Sequence, residues 1–216
     1  MSINKTYAVF GLGRYGFSVA KELNSSGAEV LAVDNNEEIV NNAAEFLPIC
    51  KCADVTDPDV IKRLGVSNID TVIIAMAGNL EASVMATTLC KEANVETVIV
   101  KCANEMHCKI LSRIGADIVV LPEIESGTRL AKNLLSSGFI DMIELSKDVS
   151  MIELDIKDDW VNKTLLDLDL RKKYSINVVA IKENDNVDVN VDPTKKLQKN
   201  MKLIVIANTS KLSKIK

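Results

Sequence analysis

The segment Tyr7-Ala8-Val9-Phe10 runs directly into Gly11-Leu12-Gly13-Arg14-Tyr15-Gly16, and a helical pattern, Tyr15–Ser26, begins inside that glycine-rich loop. This arrangement constrains the chain more than any other. Gly11 permits a sharp strand-to-helix turn, Gly13 lets the backbone approach a pyrophosphate with no Cβ in the way, and Gly16 allows close packing of helix on strand. The start of the helix then presents free N–H groups and a partial positive charge to an anion. The glycine spacing alone is weak, but here it stands between a strand and a helix and is followed by Asp34 at the end of a second strand, Glu29–Asp34. A carboxylate there accepts hydrogen bonds from both hydroxyls of a ribose. It also argues against a 2′-phosphate, because two anions would be forced together. NAD, ATP and ADP all share the adenosine ribose, so Asp34 does not separate them. Asp54, just past a third short strand, either lies near the edge of an adenine or caps the turn that follows; the residues support the two readings equally.

The glycine loop opens a repeated pattern. Short β-branched runs at Thr6–Gly11, Glu29–Asp34, Ile49–Lys51, Thr71–Ala75, Thr97–Cys102 and Ile118–Leu121 alternate with helical periodicity, as in Asn79–Ala93 and in the helix that Asp57-Pro58 begins. Strands alternating with helices make a parallel sheet covered on both faces. The composition agrees. The chain is 47% apolar but only 4% aromatic, which suits close-packed Val, Ile, Leu and Ala strands beneath helices. The expectation is an α/β chain in three parts: a Rossmann-like doubly wound parallel sheet over residues 1–121, crossover and dimerisation helices over 122–145, and a small α+β domain over 146–216. The crossover holds a helix candidate, Glu123–Leu135, with Leu130, Leu134 and Leu135 on one stripe, closed by Ser136-Ser137-Gly138 and followed by the apolar cluster Phe139–Ile143. An amphipathic helix appended to a finished sheet must bury its stripe somewhere, which points to a subunit contact. In the last part, Met151–Ile156, Asn177–Lys182 and Lys202–Ala207 read as strands, with a short helix around Lys163–Arg171 and a turn at Glu183-Asn184-Asp185-Asn186.

Several function classes are excluded or disfavoured. The formal net charge is −4, which gives no electrostatic basis for nucleic-acid binding. Apolar runs are strand-sized, far short of the roughly 20 residues that span a bilayer as a helix, and the N-terminus carries no apolar export segment. The odd set Cys50, Cys52, Cys90, Cys102 and Cys108 reads as reduced thiols in a cytoplasm. No glycine precedes a lysine, so a Walker A loop is absent, and no Gly-x-Ser-x-Gly elbow occurs. Cys50-x-Cys52 with His107-Cys108 fits no standard zinc spacing and reads as core thiols. His107, the sole histidine, reads as a surface or interface residue near the start of a helix. Lys195, Lys196, Lys199, Lys202, Lys211, Lys214 and Lys216 read as a solvated rim and tail. A small NAD-dependent oxidoreductase is the alternative that the glycine loop leaves open. It would need an acid–base group that the C-terminal residues do not offer.

Taken together, Ala8–Gly16, Val30-Leu31-Ala32-Val33-Asp34, Ile114-Gly115-Ala116-Asp117 with Pro122-Glu123, and the later Asp169–Tyr174 and Val178–Lys182 resemble the RCK (or KTN) regulators of potassium transport, within them the cytosolic subunits of bacterial Ktr uptake systems. The likeness covers essentially the whole chain. It implies a non-enzymatic regulator that is cytoplasmic, peripheral to the inner face of the membrane, and assembled as an octameric ring of dimers beneath a membrane-embedded potassium channel subunit (KtrB-like). It implies ATP and ADP as ligands, with NAD(H) a further ligand in the family, at a site formed by Gly11, Gly13, Arg14, Asp34 and Asp54. Glu123 falls where the family has a carboxylate associated with a divalent or monovalent cation at the subunit interface. The likeness further implies cyclic di-AMP between two C-terminal domains, at Leu170, Arg171, Asn177, Val178 and Pro193; Tyr174 and Ile176 stand where no family contact carries over. For Arg171, an ion pair with Asp167 or Asp169 is the competing reading. Arg14, between the second and third glycines, is the expected sensor of a terminal phosphate.

Overall fold

In the computed structural model, residues 5–135, 139–146, 148–184 and 186–208 are described. The chain divides into two compact units, Met1–Glu123 and Ile124–Lys216.

The first unit is built on six parallel strands: β1 (Thr6–Phe10), β2 (Glu29–Asp34), β3 (Cys50–Cys52), β4 (Thr71–Ile74), β5 (Thr97–Lys101) and β6 (Ile118–Val120). Their order across the sheet is β3-β2-β1-β4-β5-β6. The chain thus winds outward from β1 to β3, returns to the other side of β1 with β4, and winds outward again. Between them run α1 (Arg14–Ser25), α2 (Glu37–Ala44), α3 (Pro58–Arg63), α4 (Leu80–Glu92) and α5 (Glu105–Ile114). Strand side chains point alternately to two faces, and each face has its own core. Ala8, Phe10, Val72 and Ile74 pack with Ile61, Ala86, Cys90 and Leu111 of α3, α4 and α5. Val9, Val30, Ala32 and Ile73 pack with Ala20 and Ala43 of α1 and α2. Both faces of the central strands are dry, which is why they read as continuous apolar runs.

Helix ends follow the local chemistry. Asn36, Asp57, Asn79 and Asn104 each accept a hydrogen bond from the first turn of α2, α3, α4 and α5, with Pro58 opening α3. Gly13 caps α1 with no side chain at all.

The next helix, α6 (Pro122–Leu135), is followed by five antiparallel strands: β7 (Phe139–Glu144), β8 (Val149–Asp155), β9 (Ile176–Glu183), β10 (Asn186–Asp188) and β11 (Met201–Asn208), in the order β10-β9-β11-β8-β7. Two short helices, α7 (Leu165–Leu168) and α8 (Leu170–Tyr174), cover one face. There Trp160, Leu168, Leu170 and Leu197 close over Ile152, Leu154, Ile176, Leu203 and Val205.

Some expectations are corrected. The stretch Phe139–Glu144, placed with the crossover helices, is a strand that pairs antiparallel with β8; its β-branched and aromatic residues suit the ladder that β8 offers. The helix ahead of it is present, while Ser136-Ser137-Gly138 lies outside the described residues. Cys90 and Cys102 are buried core thiols, pushed up to about 12 by that burial. Cys50 is only half-buried and Cys52 is exposed, because β3 is a three-residue strand at the sheet edge. His107 is not on the surface: it is buried one turn before Leu111 on the inward stripe of α5. Its Nδ1 accepts the Ala103 N–H at 3.2 Å, and burial holds its pKa below the ordinary 6.5. Of the lysine-rich rim, Lys195, Lys199 and Lys202 pair with Glu183, Asp158 and Glu153; Lys211, Lys214 and Lys216 lie outside the described residues.

Candidate functional site

Strands β1, β2 and β4 end at one edge of the sheet, and the winding reverses between β1 and β4. In open α/β sheets, the crevice at such a reversal is where ligands bind. Two of the three glycines of the loop are required by packing. Gly11 has φ +90, and a Cβ there would come within 2.8 Å of Met76 Cγ. A Cβ on Gly16 would sit 1.9 Å from the Gly11 carbonyl oxygen, inside any real contact distance. A Cβ on Gly13 would meet nothing within 4 Å. Two glycines are therefore required by protein packing, whereas the third keeps open space beside the backbone.

Helix α1 has no side-chain cap and no acidic residue in its first turn. This contrasts with α2, α3, α4 and α5, each of which carries both a capping side chain and an acid in its first turn.

Asp34 connects the loop to the second strand. Its Oδ2 accepts the Leu12 N–H at 2.7 Å and its Oδ1 accepts the Asn36 N–H at 2.9 Å. The carboxylate thus has a structural task beside any ribose it meets, and its remaining lone pairs are available for one. It lines a cavity of about 330 Å³ with Gly11, Asp54, Thr56, Met76 and Asn79. Asp54 caps the turn that follows β3. Its Oδ1 accepts from the Thr56 N–H at 2.9 Å and the Thr56 hydroxyl at 2.7 Å, which lower its pKa and cap the turn; helix α3 itself is capped by Asp57. Yet Asp54 also faces the cavity.

Gly11, Asp34 and Asp54 are therefore brought together, while Gly13 and Arg14 stand at the start of α1. Glu123, the second residue of α6, belongs to a different group. Lys101, at the end of β5, places its ammonium 2.6 Å from Glu123 Oε1 and 5.3 Å from the ring centroid of Tyr15. The Lys101 hydrogen bond, with Arg14 acting through space, holds the Glu123 carboxyl below the ordinary 4.5. Among the described residues, no three His, Cys, Asp or Glu side chains come together as a metal site. Glu123 is already matched by the Lys101 ammonium. Thr56, Met76, Asn79 and Lys101 were not singled out in the sequence. Asn79 carried a signal, a helix-capping residue after β4; Lys101 carried none.

In the second unit, Arg171 lies exposed on α8, Asn177 exposed and Val178 half-buried at the start of β9, and Pro193 exposed with its carbonyl accepting the Leu166 N–H at 3.3 Å. Leu170 is instead a core residue at 4% exposure, so its side chain is not on that surface. The carboxylates weighed as partners for Arg171 are otherwise engaged: Asp167 closes a capping box with Thr164, and Asp169 pairs with Lys172 at 3.6 Å.

The fold is an α/β unit wound as in dinucleotide-binding proteins, followed by a small antiparallel β unit. Residues 7–122 match the TrkA-N domain and residues 149–216 the TrkA-C domain. The chain belongs to the TrkA-N/TrkA-C family of potassium uptake proteins, the family its motifs resemble. It is 41% identical over 212 residues to the Ktr system potassium uptake protein C of Bacillus subtilis (strain 168), an alignment covering 98% of this chain and 96% of that one. It is 38% identical over 190 residues to the Ktr system potassium uptake protein A of the same organism, covering 88% and 86%. Among solved structures, the GsuK channel bound to NAD superimposes with a TM-score of 0.64 at 16% identity, over 96% of this chain and 38% of that one, a likeness of fold. No helix among the described residues is long and apolar enough to cross a membrane.

Proposed function

We propose that this chain is the nucleotide-gated regulatory subunit of a potassium uptake system, binding ATP or ADP in its first unit and acting on a separate membrane-embedded channel subunit at the inner face of the membrane. The observation that carries the reading is the start of α1 beside the Asp34 cavity: a helix end with neither a side-chain cap nor an acid in its first turn, next to a carboxylate suited to ribose. The adenosine would lie against Asp34 and Asp54, and the phosphates over Gly13 and the first turn of α1, within reach of Arg14. NAD(H) fits the same adenosine half. Hydride transfer finds little support, since the sole histidine is buried in α5 and the Asp34 and Asp54 carboxylates already accept backbone N–H donors.

Assembly is part of the proposal. Helix α6 presents Ile124, Leu130 and Leu134 at 51%, 61% and 76% exposure. An apolar stripe of that kind suits burial against another copy, within a ring of dimers. In the second unit, Arg171 and Asn177 form a surface on which a guanidinium fork suits a phosphodiester such as cyclic di-AMP. Glu123 would meet a cation only together with groups from a further copy.

The test is acid extraction of purified protein with chromatography of the released nucleotide, alongside calorimetry with ATP, ADP and NAD and an assay for hydride transfer. Adenine nucleotide bound without turnover is the expected result. Turnover of NAD with any small substrate would overturn the regulator.

A further inference from the structure

Two of the cysteines meet in the core of the first unit. Cys102 follows the end of β5, and its N–H donates to the Val120 carbonyl at 2.8 Å, holding it against β6. Only Ala103 and Asn104 then separate it from α5, whose first turn carries Cys108. The Cys108 N–H donates to the Asn104 carbonyl at 3.1 Å and the Ala103 N–H donates to His107 Nδ1 at 3.2 Å, so this turn closes over the residues that follow the strand. Both cysteine side chains pack in the core that α5 shares with the sheet, and there the two thiols are hydrogen-bonded to each other. Neighbouring thiols are the geometric requirement for a disulfide.

The pair is unequal in access. Cys102 is fully buried, whereas Cys108 is half-buried. Burial, and then the hydrogen bond and charge of Cys108, hold the proton on Cys102. A small oxidant therefore reaches Cys108 first, with a second sulfur waiting beside it. The other thiols are placed differently. Cys90 is shut away from solvent, and Cys50 and Cys52, two apart on β3, point to opposite faces of the sheet.

We infer that Cys102 and Cys108 are a reversible oxidation site, which a hydroperoxide converts into an intramolecular disulfide. Cys108 gives up its proton to solvent and attacks as thiolate. Its sulfur bonds one peroxide oxygen, the O–O bond breaks, and hydroxide leaves, giving a sulfenic acid. The Cys102 sulfur then attacks that sulfur. The S–S bond forms, the S–O bond breaks, and the oxygen departs as water with the Cys102 proton. Two thiols thus lose two electrons and two protons, and hydrogen peroxide becomes two waters. His107 is not the base, because its Nδ1 already accepts the Ala103 N–H. Thiol reductants reverse the step by exchange. The closed loop contains Asn104, the cap of α5, so oxidation ties the start of that helix to the end of β5.

The experiment treats the folded full chain with hydrogen peroxide, blocks the remaining thiols with iodoacetamide in denaturant, and maps tryptic peptides by mass. Cleavage after Lys101 and Lys109 leaves both cysteines in one peptide. That peptide should be recovered unalkylated and about 2 Da lighter than the dithiol. Dithiothreitol added before blocking should return it to two alkylated thiols. Cys102→Ala should strand Cys108 as a sulfenic acid, labelled by dimedone about tenfold more than in wild type. Cys108→Ala should leave Cys102 alkylatable after the same treatment. Two results would overturn the inference: both thiols still alkylated at a dose that oxidises the exposed Cys52, or Cys108 driven to sulfinic acid while Cys102 stays alkylated. If Cys102→Ala fails to fold, the wild-type peptide map decides alone.

Discussion

Asp34 does two things with one carboxylate. It accepts the Leu12 and Asn36 N–H groups, tying the glycine loop to the end of β2, and it lines the cavity where a ribose would sit. Replacing it by Ala should therefore have two separable effects. ATP and ADP affinity should both fall by about tenfold or more, because charge-assisted hydrogen bonds are lost. Ligand-free protein should also lose about 1–3 kcal/mol of stability, since the Leu12 N–H, on a residue with only 4% exposure, is left without its acceptor. Calorimetry reads the first effect and thermal melting without nucleotide reads the second. Unchanged affinity with lowered stability would reduce Asp34 to its structural task.

Among the elements, the antiparallel sheet of the second unit carries a charge on its less covered face. Glu153 on β8 is 9% exposed and lies between Lys182 of β9 at 3.0 Å and Lys202 of β11 at 2.8 Å. Burial works to raise the Glu153 pKa, but the hydrogen bonds from Lys202 and Lys182 outweigh it and the net direction is downward from the ordinary 4.5. A carboxyl whose folded pKa is depressed contributes stability that is fully present above its unfolded pKa and lost as pH falls through the folded one. The Glu153→Gln variant should thus melt lower than wild type near neutral pH, by about 1–3 kcal/mol, and the gap should close in acid below 4.5. Melting curves of both proteins across that window check it; a gap that is independent of pH would mean the charge on Glu153 does nothing for the sheet.

For the whole molecule, the question is what covers α6. Its first and later turns expose Ile124, Leu130 and Leu134. Leu134→Glu should leave both units folded, with unchanged far-ultraviolet dichroism, while light scattering reports a smaller particle than wild type. An undiminished particle would place the subunit contact elsewhere. Mass measured with ATP, with ADP and with neither would further separate a ligand-dependent ring from a constant one.

The alternation of strands and helices, the glycine loop and the place of Asp34 at the end of β2 were legible in the sequence because each rests on local periodicity or on a backbone requirement of neighbouring residues. Asp57-Pro58 and Asn79 announced helix starts for the same reason. What the chain order could not convey was which distant residues meet. Phe139–Glu144 carried the composition of a strand but no sign of its partner, and only pairing with β8 decided its state. His107 sat at a helix start that suggested exposure; packing of α5 on the sheet turned it inward. Lys101 looked like any lysine at a strand end until the parallel order of β1, β4 and β5 brought it beside Tyr15 and Glu123. Local chemistry specified the elements, and the site's electrostatics came from tertiary structure, because Coulombic and hydrogen-bonding partners are chosen by distance in space and not by separation along the chain.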